Sequence, residues 1–124
     1  MANEIVLQFG AQVANGFFKH TFQPGSIQVD QAAIGRAGHA QLIGFAAAEI
    51  VDFGDISTNG YCILRNLDTT NYVTWGPDTG AAAIKVCGKL KPGEIAVFRV
   101  APTIVMYAQA DTAGVLLDVT LLED

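Results

Sequence analysis

The chain has 124 residues, a length typical of one domain, and we expect a single domain over residues 1–124. Its formal net charge is −5 and its seven Lys and Arg residues are scattered, which argues against binding to nucleic acid or to an anionic membrane, because both require clustered positive charge. Only 15% of the residues are charged and 51% are hydrophobic, so we expect part of the surface to be covered by other subunits rather than by water.

Neither a transmembrane helix nor a secretory signal is expected. No apolar stretch is long enough to span a membrane, and residues 1–6 lack a basic segment followed by an apolar one. We therefore expect synthesis in the cytoplasm, where Cys62 and Cys87 are reduced thiols. A disulfide between them would require neighbouring strands.

Short apolar stretches bounded by Gly, Pro, Asn and Asp predict about nine or ten strands of an antiparallel sheet protein. The predicted strands comprise residues 4–13, 17–23, 26–30, 39–47, 48–53, 61–67, 72–75, 82–87, 94–100, 104–109 and 115–121. The stretch 39–53 is ambiguous, because Ala favours helices whereas Ile, Val and Phe favour strands; Gly44 would weaken a helix there. Residues 31–38 predict a loop or a single helical turn.

Turn chemistry separates the predicted strands. Asn15-Gly16 predicts a tight hairpin turn. Pro24-Gly25 predicts a break between two strands, because Pro lacks an N–H donor and Gly allows the chain to reverse. Further turns or loops are predicted at residues 55–60, 68–71, 76–80, 91–94 and 111–114.

The C-terminal strand shows the clearest alternation. Val115, Leu117, Val119 and Leu121 are predicted to face a core, while the residues between them face the other way. Many short strands at regular spacing predict an all-β antiparallel β-sandwich, which we expect to be jelly-roll-like; a closed barrel is the alternative.

A sandwich of this size raises the possibility of a cupin-like metal enzyme. His20, His39 and Glu49 are the residues that could form a metal-binding triad. The two histidines lie on separate predicted strands, however, and neither belongs to a His-x-His pair. We therefore interpret both as surface or loop residues.

Other catalytic arrangements are also poorly supported. Asp52, Asp55 and Asp68 are too sparse for a calcium loop and are interpreted as turn residues. Cys62 lies within an apolar strand and is interpreted as a small core residue rather than a nucleophile. We expect no enzymatic activity and no cofactor or metal.

Aromatic residues are the candidates for a partner interface. Phe17 and Phe18 are adjacent in a predicted strand, so their side chains point to opposite faces and one of them meets a second sheet, a loop or another subunit. Tyr72 and Trp75 flank a turn, where exposed aromatics bind sugars or partners. Alternatively, Trp75 closes one end of the core.

Three blocks of sequence resemble small structural proteins of tailed bacteriophages. They read Asn-Leu-Asp-Thr-Thr-Asn-Tyr-Val-Thr-Trp-Gly (66–76), Lys-Pro-Gly-Glu-Ile-Ala-Val-Phe-Arg (91–99) and Tyr-Ala-Gln-Ala-Asp-Thr-Ala-Gly (107–114). The order of the blocks is part of the resemblance, which covers the second half of the chain. It implies a β-sandwich building block of the virion, such as a decoration or cement protein of the outer capsid lattice, and supplies no catalytic residues.

We therefore expect a capsid decoration protein located in the virion after assembly in the host cytoplasm. It would bind the major capsid protein by multivalent contacts between capsomers, as a homotrimer matching local three-fold positions. The alternative is a tail- or fibre-associated carbohydrate-binding β-sandwich module that uses Tyr72 and Trp75.

Overall fold

The computed structural model describes residues 4–80 and 83–124. Within them the chain is all-β, and the prediction of about nine or ten strands is confirmed by ten strands and no helix. The strands are β1 (Ile5–Asn15), β2 (Phe18–Val29), β3 (Arg36–Ile43), β4 (Glu49–Ile50), β5 (Asn59–Asn66), β6 (Val73–Pro77), β7 (Gly88–Leu90), β8 (Ile95–Arg99), β9 (Met106–Ala110) and β10 (Val115–Glu123). No helix capable of crossing a bilayer occurs in these residues.

The chain forms two compact units, Met1–Ala32 and Ala33–Asp124. The single domain expected over residues 1–124 stays a prediction. Unit 1 consists of β1 and β2, and unit 2 contains the eight strands β3 to β10.

Unit 1 is an antiparallel hairpin, and the predicted tight turn is confirmed. Asn15 pairs with Phe18, so the two turn residues are Gly16 and Phe17, one position later than Asn15-Gly16. Gly16 has a φ of 58°, a left-handed conformation that glycine adopts without steric cost.

The predicted break at Pro24-Gly25 is wrong, because β2 continues through it. Phe9 pairs with Gly25 and Ala11 with Phe22, so one residue of β1 lies opposite two residues of β2. This is a β-bulge, a position at which a strand tolerates Pro despite its missing N–H. Gly25 accommodates the local distortion with a φ of 85°.

Unit 2 is a jelly-roll sandwich. One sheet has the order β3-β10-β5-β8 and the other β4-β9-β6-β7, with every pairing antiparallel. The pairs β3–β10, β4–β9, β5–β8 and β6–β7 are nested within one another along the chain. A long ribbon of nested pairs wrapped into two sheets is the jelly-roll topology. Two separate sheets, rather than a closed barrel, therefore form this unit.

The core of unit 2 lies between its two sheets. Val115, Leu117, Val119 and Leu121 are each 0% exposed, which confirms the alternation predicted for β10. The opposite sheet contributes further buried residues: Val73, Leu90, Met106, Ala108 and Ala110. Burial of these apolar side chains is the main stabilising contribution to the sandwich.

Several predicted boundaries change in unit 2. Residues 31–35 form a loop, and the stretch 39–53 is a strand only to Ile43 and again over the two residues of β4. Asn59 and Gly60 begin β5 instead of closing a loop. The turns at residues 68–71, 91–94 and 111–114 are confirmed, and Gly93 has the positive φ of 82° that favours glycine.

The strand predicted over residues 82–87 is wrong for residues 83–87; residue 82 lies outside the described residues. The strand of this region is β7, and Ile84 makes only an isolated bridge with Asp78. The N–H groups of Lys85 and Cys87 still donate to β6, each over 2.9 Å. A one-residue shift of register between Ile84 and β7 interrupts the ladder, as expected for a bulge.

Candidate interaction surfaces

One face of the unit 1 hairpin is almost entirely apolar. Cross-strand pairing places alternate residues of each strand on the same face. This surface, the apolar hairpin face, consists of Ile5, Leu7, Phe9, Ala11 and Val13 of β1 and Phe18, Phe22, Ile27 and Val29 of β2, together with His20 and, at the turn end, Asn15. The opposite face carries Gln8, Gln12, Lys19, Thr21, Ser26 and Gln28, with Val6 and Ala14 among them. The hairpin therefore has one mainly polar face and one mainly apolar face suited to a partner.

The bulge at Pro24-Gly25 aligns the apolar hairpin face. Phe18 and Phe22 occupy even positions of β2, whereas Ile27 and Val29 occupy odd positions. In a regular strand the two sets would lie on opposite faces, because side chains alternate with a period of two. The bulge places Gln23 and Pro24 opposite the single residue Gly10 and so keeps the two sets on a common face, where the rings of Phe9 and Phe22 meet edge to face with centroids 6.1 Å apart.

The apolar hairpin face is open to solvent. Phe9, Phe18 and Phe22 are 57%, 64% and 51% exposed, and Val13 and Ile27 are exposed to nearly the same extent. Single exposed apolar residues are common on proteins, but a contiguous apolar patch marks an interaction site. Phe17, at the turn, is fully exposed.

Of the candidate interface residues in unit 2, Trp75 packs inward. Its ring stacks on that of Phe98 in the opposite sheet, with centroids 4.7 Å apart and planes 1° apart. Its indole N–H is buried and makes no hydrogen bond. Trp75 therefore belongs to the packing between the sheets. Tyr72 is half-buried, and the Lys89 ammonium group lies 3.9 Å from its ring centroid.

The outer face of the β3-β10-β5-β8 sheet carries apolar residues that the sequence analysis did not identify. On β8, Ile95 and Val97 are exposed, and Val97 lies directly opposite Ile63 of β5. At the next outward position the guanidinium of Arg99 lies 4.5 Å from the ring centroid of Tyr61. The available signal was the sequence of β8, in which two of the three outward positions carry Ile and Val.

A pocket of about 430 Å³ opens beside the loop between β8 and β9. Its lining is mainly apolar and includes Ile50, Phe53, Ile56, Ile104 and Val105. Two polar side chains at its edge are already engaged: the side-chain amide of Asn59 donates to the carbonyl groups of Ala101 and Ile104, and the Ser57 hydroxyl donates to Glu123. The pocket suits an apolar group better than a polar ligand.

The candidate metal ligands do not form a cluster. Among residues 4–80 and 83–124, no three His, Cys, Asp or Glu side chains come together as a metal-binding group. His20 lies on β2 and His39 on β3. The Glu49 carboxylate accepts a hydrogen bond from the N–H of Gly44.

The aspartates proposed for turns act as turn residues. Asp52 accepts the N–H of Gly54 over 2.8 Å, and Asp68 accepts the N–H groups of Asn71 and Thr70. These two donors lower the pKa of Asp68, because they stabilise its charged form. Asp55 is an exposed loop residue.

The two cysteines are free thiols in different environments. Cys62 is buried in the core, and burial raises the pKa of its thiol to about 12. Cys87 is exposed. A thiol that stays protonated at neutral pH is a poor nucleophile, so Cys62 acts as a small core residue.

Comparisons with known proteins identify no family. No protein-family model matches the chain, and no curated protein does. A chain of a solved structure described as "Bacillus endospore appendages form a novel family of disulfide-linked pili" is similar over 79% of this chain and 100% of its own length, at 18% identity and a TM-score of 0.39. A similarity at this level supports neither a fold nor a function.

Proposed function

We propose that the chain is a structural subunit of a virion, a capsid decoration protein of a tailed bacteriophage that binds the major capsid protein as a homotrimer. The observation that carries the proposal is the exposed apolar surface, which occurs on the hairpin and, separately, on the outer face of β8 and around the pocket beside Ile104. The resemblance of residues 66–76, 91–99 and 107–114 to phage structural proteins supplies the identity of the partner.

The distribution of apolar surface supports binding through several patches. Outside the hairpin, exposed apolar residues that can contact a capsid occur on the outer face of β8, at Ile95 and Val97, and around the pocket beside Ile104. When several weak patches of one oligomer bind together, their combined avidity exceeds the affinity of each site.

The jelly roll provides the rigidity that such a subunit needs. Its two sheets enclose a core in which Ile43, Leu64 and Leu117 have almost no exposed surface. Close packing of this kind resists deformation. The carbohydrate-binding alternative receives less support, because Trp75 packs on Phe98 and Lys89 covers the ring of Tyr72.

The test uses purified particles of the phage that, on this proposal, encodes the chain. We expect electron microscopy to show the chain on the head in a copy number that follows the capsid lattice. Added full-length protein should co-sediment with heads that lack it. Val97→Lys should weaken this binding by introducing a charge on the outer face of β8, whereas Thr69→Lys, at the exposed 68–71 turn, should not. Absence of the chain from particles would contradict the proposal.

A further inference from the structure

We propose that the apolar hairpin face is covered by the same face of other copies of this chain, so that the hairpins form the oligomer interface. This inference deepens the oligomeric part of the proposed function, but it does not require the capsid role. It assigns the self-association of the chain to unit 1 and names the residues that bury one another: chiefly Phe9, Phe18 and Phe22.

The need for a partner follows from the architecture of unit 1. A two-stranded hairpin is marginally stable in water by itself; independent stability requires further strands or a packing surface. Here the strands have eleven and twelve residues, and almost every residue of both is exposed. So long and ordered a hairpin therefore gains its stability from whatever covers its apolar face.

Charge favours a second copy as the occupant. The apolar hairpin face contains no Asp, Glu, Lys or Arg, and its single titratable side chain is that of His20, opposite Val13. The charged Lys19 lies on the opposite face, paired with Ala14. Copies of this face can therefore meet one another, in a dimer or around a three-fold axis, without like charges opposing each other.

The available area is sufficient for a specific interface. A phenylalanine side chain contributes about 200 Å², so the exposed parts of Phe9, Phe18 and Phe22 offer roughly 350 Å² per copy. Val13 and Ile27 raise this to on the order of 500 Å² per copy. Association of two copies then buries about 1,000 Å² in total, which is the range in which specific interfaces begin.

The first experiment measures the mass of the full chain in solution by sedimentation. We expect an oligomer for the natural sequence. Phe22→Lys places a charge on the apolar hairpin face and should weaken association at least ~30-fold, as for a hot-spot aromatic. Thr21→Lys, the neighbouring residue on the opposite face, is the matched control and should remain oligomeric. A single chain at tens of micromolar, or equal behaviour of the two variants, would overturn the inference.

A second experiment identifies the face without disturbing the aromatic residues. In a Cys87→Ser background, Ala11→Cys places a thiol on the apolar hairpin face and Gln12→Cys places one on the opposite face. A short bis-maleimide should link copies through position 11 at least ten times faster than through position 12. Equal rates would overturn the inference even if Phe22→Lys were misfolded. Capsid binding is measured in a separate assay. If the chain does not bind capsids, the cross-linking rates at positions 11 and 12 still test whether the apolar hairpin face is the oligomer interface.

Discussion

Trp75 lies directly over Gly88 on the neighbouring strand, in the space that a side chain at position 88 would occupy. Trp75 also stacks on Phe98 of the opposite sheet. Gly88 thus allows the indole ring to lie flat between the two sheets and to close this part of the core.

Gly88→Ala is therefore expected to destabilise the jelly roll by about 1–3 kcal/mol, the usual cost of overpacking. The added methyl group would overlap the ring of Trp75, which cannot move without losing its stacking on Phe98. Denaturant unfolding followed by Trp75 fluorescence measures the change. Cys87→Ala, at the exposed preceding residue, is the control and should change stability by less than about 0.5 kcal/mol. Equal stability of both variants would contradict this account of Gly88.

Asn66, at the end of β5, should be among the most sensitive polar residues. It is 0% exposed, its side-chain amide donates to the carbonyl groups of Asn71 and Leu90, and its side-chain oxygen accepts the N–H of Asp68. Asn66→Ala leaves these groups without partners in a buried site, so we expect a loss of about 2–4 kcal/mol in thermal or urea unfolding. Arg65→Ala, at the exposed neighbouring position, should have little effect.

The two thiols should react very differently. Burial raises the pKa of Cys62 to about 12, whereas Cys87 is exposed. At pH 8 a thiol reagent should therefore modify one cysteine per native chain and two after denaturation. The raised pKa also makes the native state less stable above pH 9, because only the unfolded chain then ionises Cys62. Cys62→Ala should reduce this alkaline loss; rapid modification of both native thiols would contradict the burial of Cys62.

Glu123, on β10, should contribute to the loss of stability in acid. Its carboxylate accepts hydrogen bonds from the hydroxyl and the N–H of Ser57, and these bonds lower its pKa. A lowered native pKa stabilises the fold above the unfolded pKa, and this contribution disappears as the pH falls through the native value. Melting temperatures between pH 7 and pH 3 should therefore fall less steeply for Glu123→Gln than for the natural sequence. Asp55→Asn, in an exposed loop, is the control.

Insertion of one residue after Gly10 tests the role of the bulge. With two residues of β1 opposite Gln23 and Pro24 the ladder becomes regular, and Phe18 and Phe22 then lie on the opposite face from Ile27 and Val29. We expect the lengthened chain to lose self-association while its jelly roll keeps its circular dichroism and its cooperative unfolding. Deletion of Pro24 also makes the ladder regular but keeps these four side chains on one face, so it is the matched control and should remain oligomeric. If the insertion variant associated as tightly as the natural chain, the bulge would not be needed to align the apolar hairpin face.

The sequence was sufficient to predict the strands whose local chemistry agrees with their environment. Val115 to Leu121 alternate strictly, and every inward residue is buried as predicted. The turn at 68–71 and the hairpin turn near Gly16 follow from Asp, Asn and Gly. In these segments the local preferences of the residues agree with the tertiary structure, so a prediction from local sequence gives the observed strands and turns.

The errors have identifiable physical causes. Pro24-Gly25 has the chemistry of a turn, but cross-strand pairing uses it as a bulge, which sequence alone does not distinguish. The strand predicted over residues 82–87 is wrong for residues 83–87, because a bulge interrupts the ladder there and regular pairing with β6 resumes only at Gly88. Residue type alone does not separate the aromatic candidates, but exposure separates Phe17 and Phe18, which face solvent, from Trp75, which packs between the sheets.

The order β3-β10-β5-β8 has a consequence for synthesis. Strand β3 comes early in the sequence, but within its sheet it forms hydrogen bonds with β10 alone. Strand β10 also lies between β3 and β5. The ribosome must therefore release residues 115–123 before that sheet can close, and until then Ile43 and Leu64 have no permanent cover. Such late, long-range closure is slow. Closure of the jelly roll consequently waits for β10, and chains stalled or clipped before residue 115 should be recognised by chaperones and proteases as unfinished.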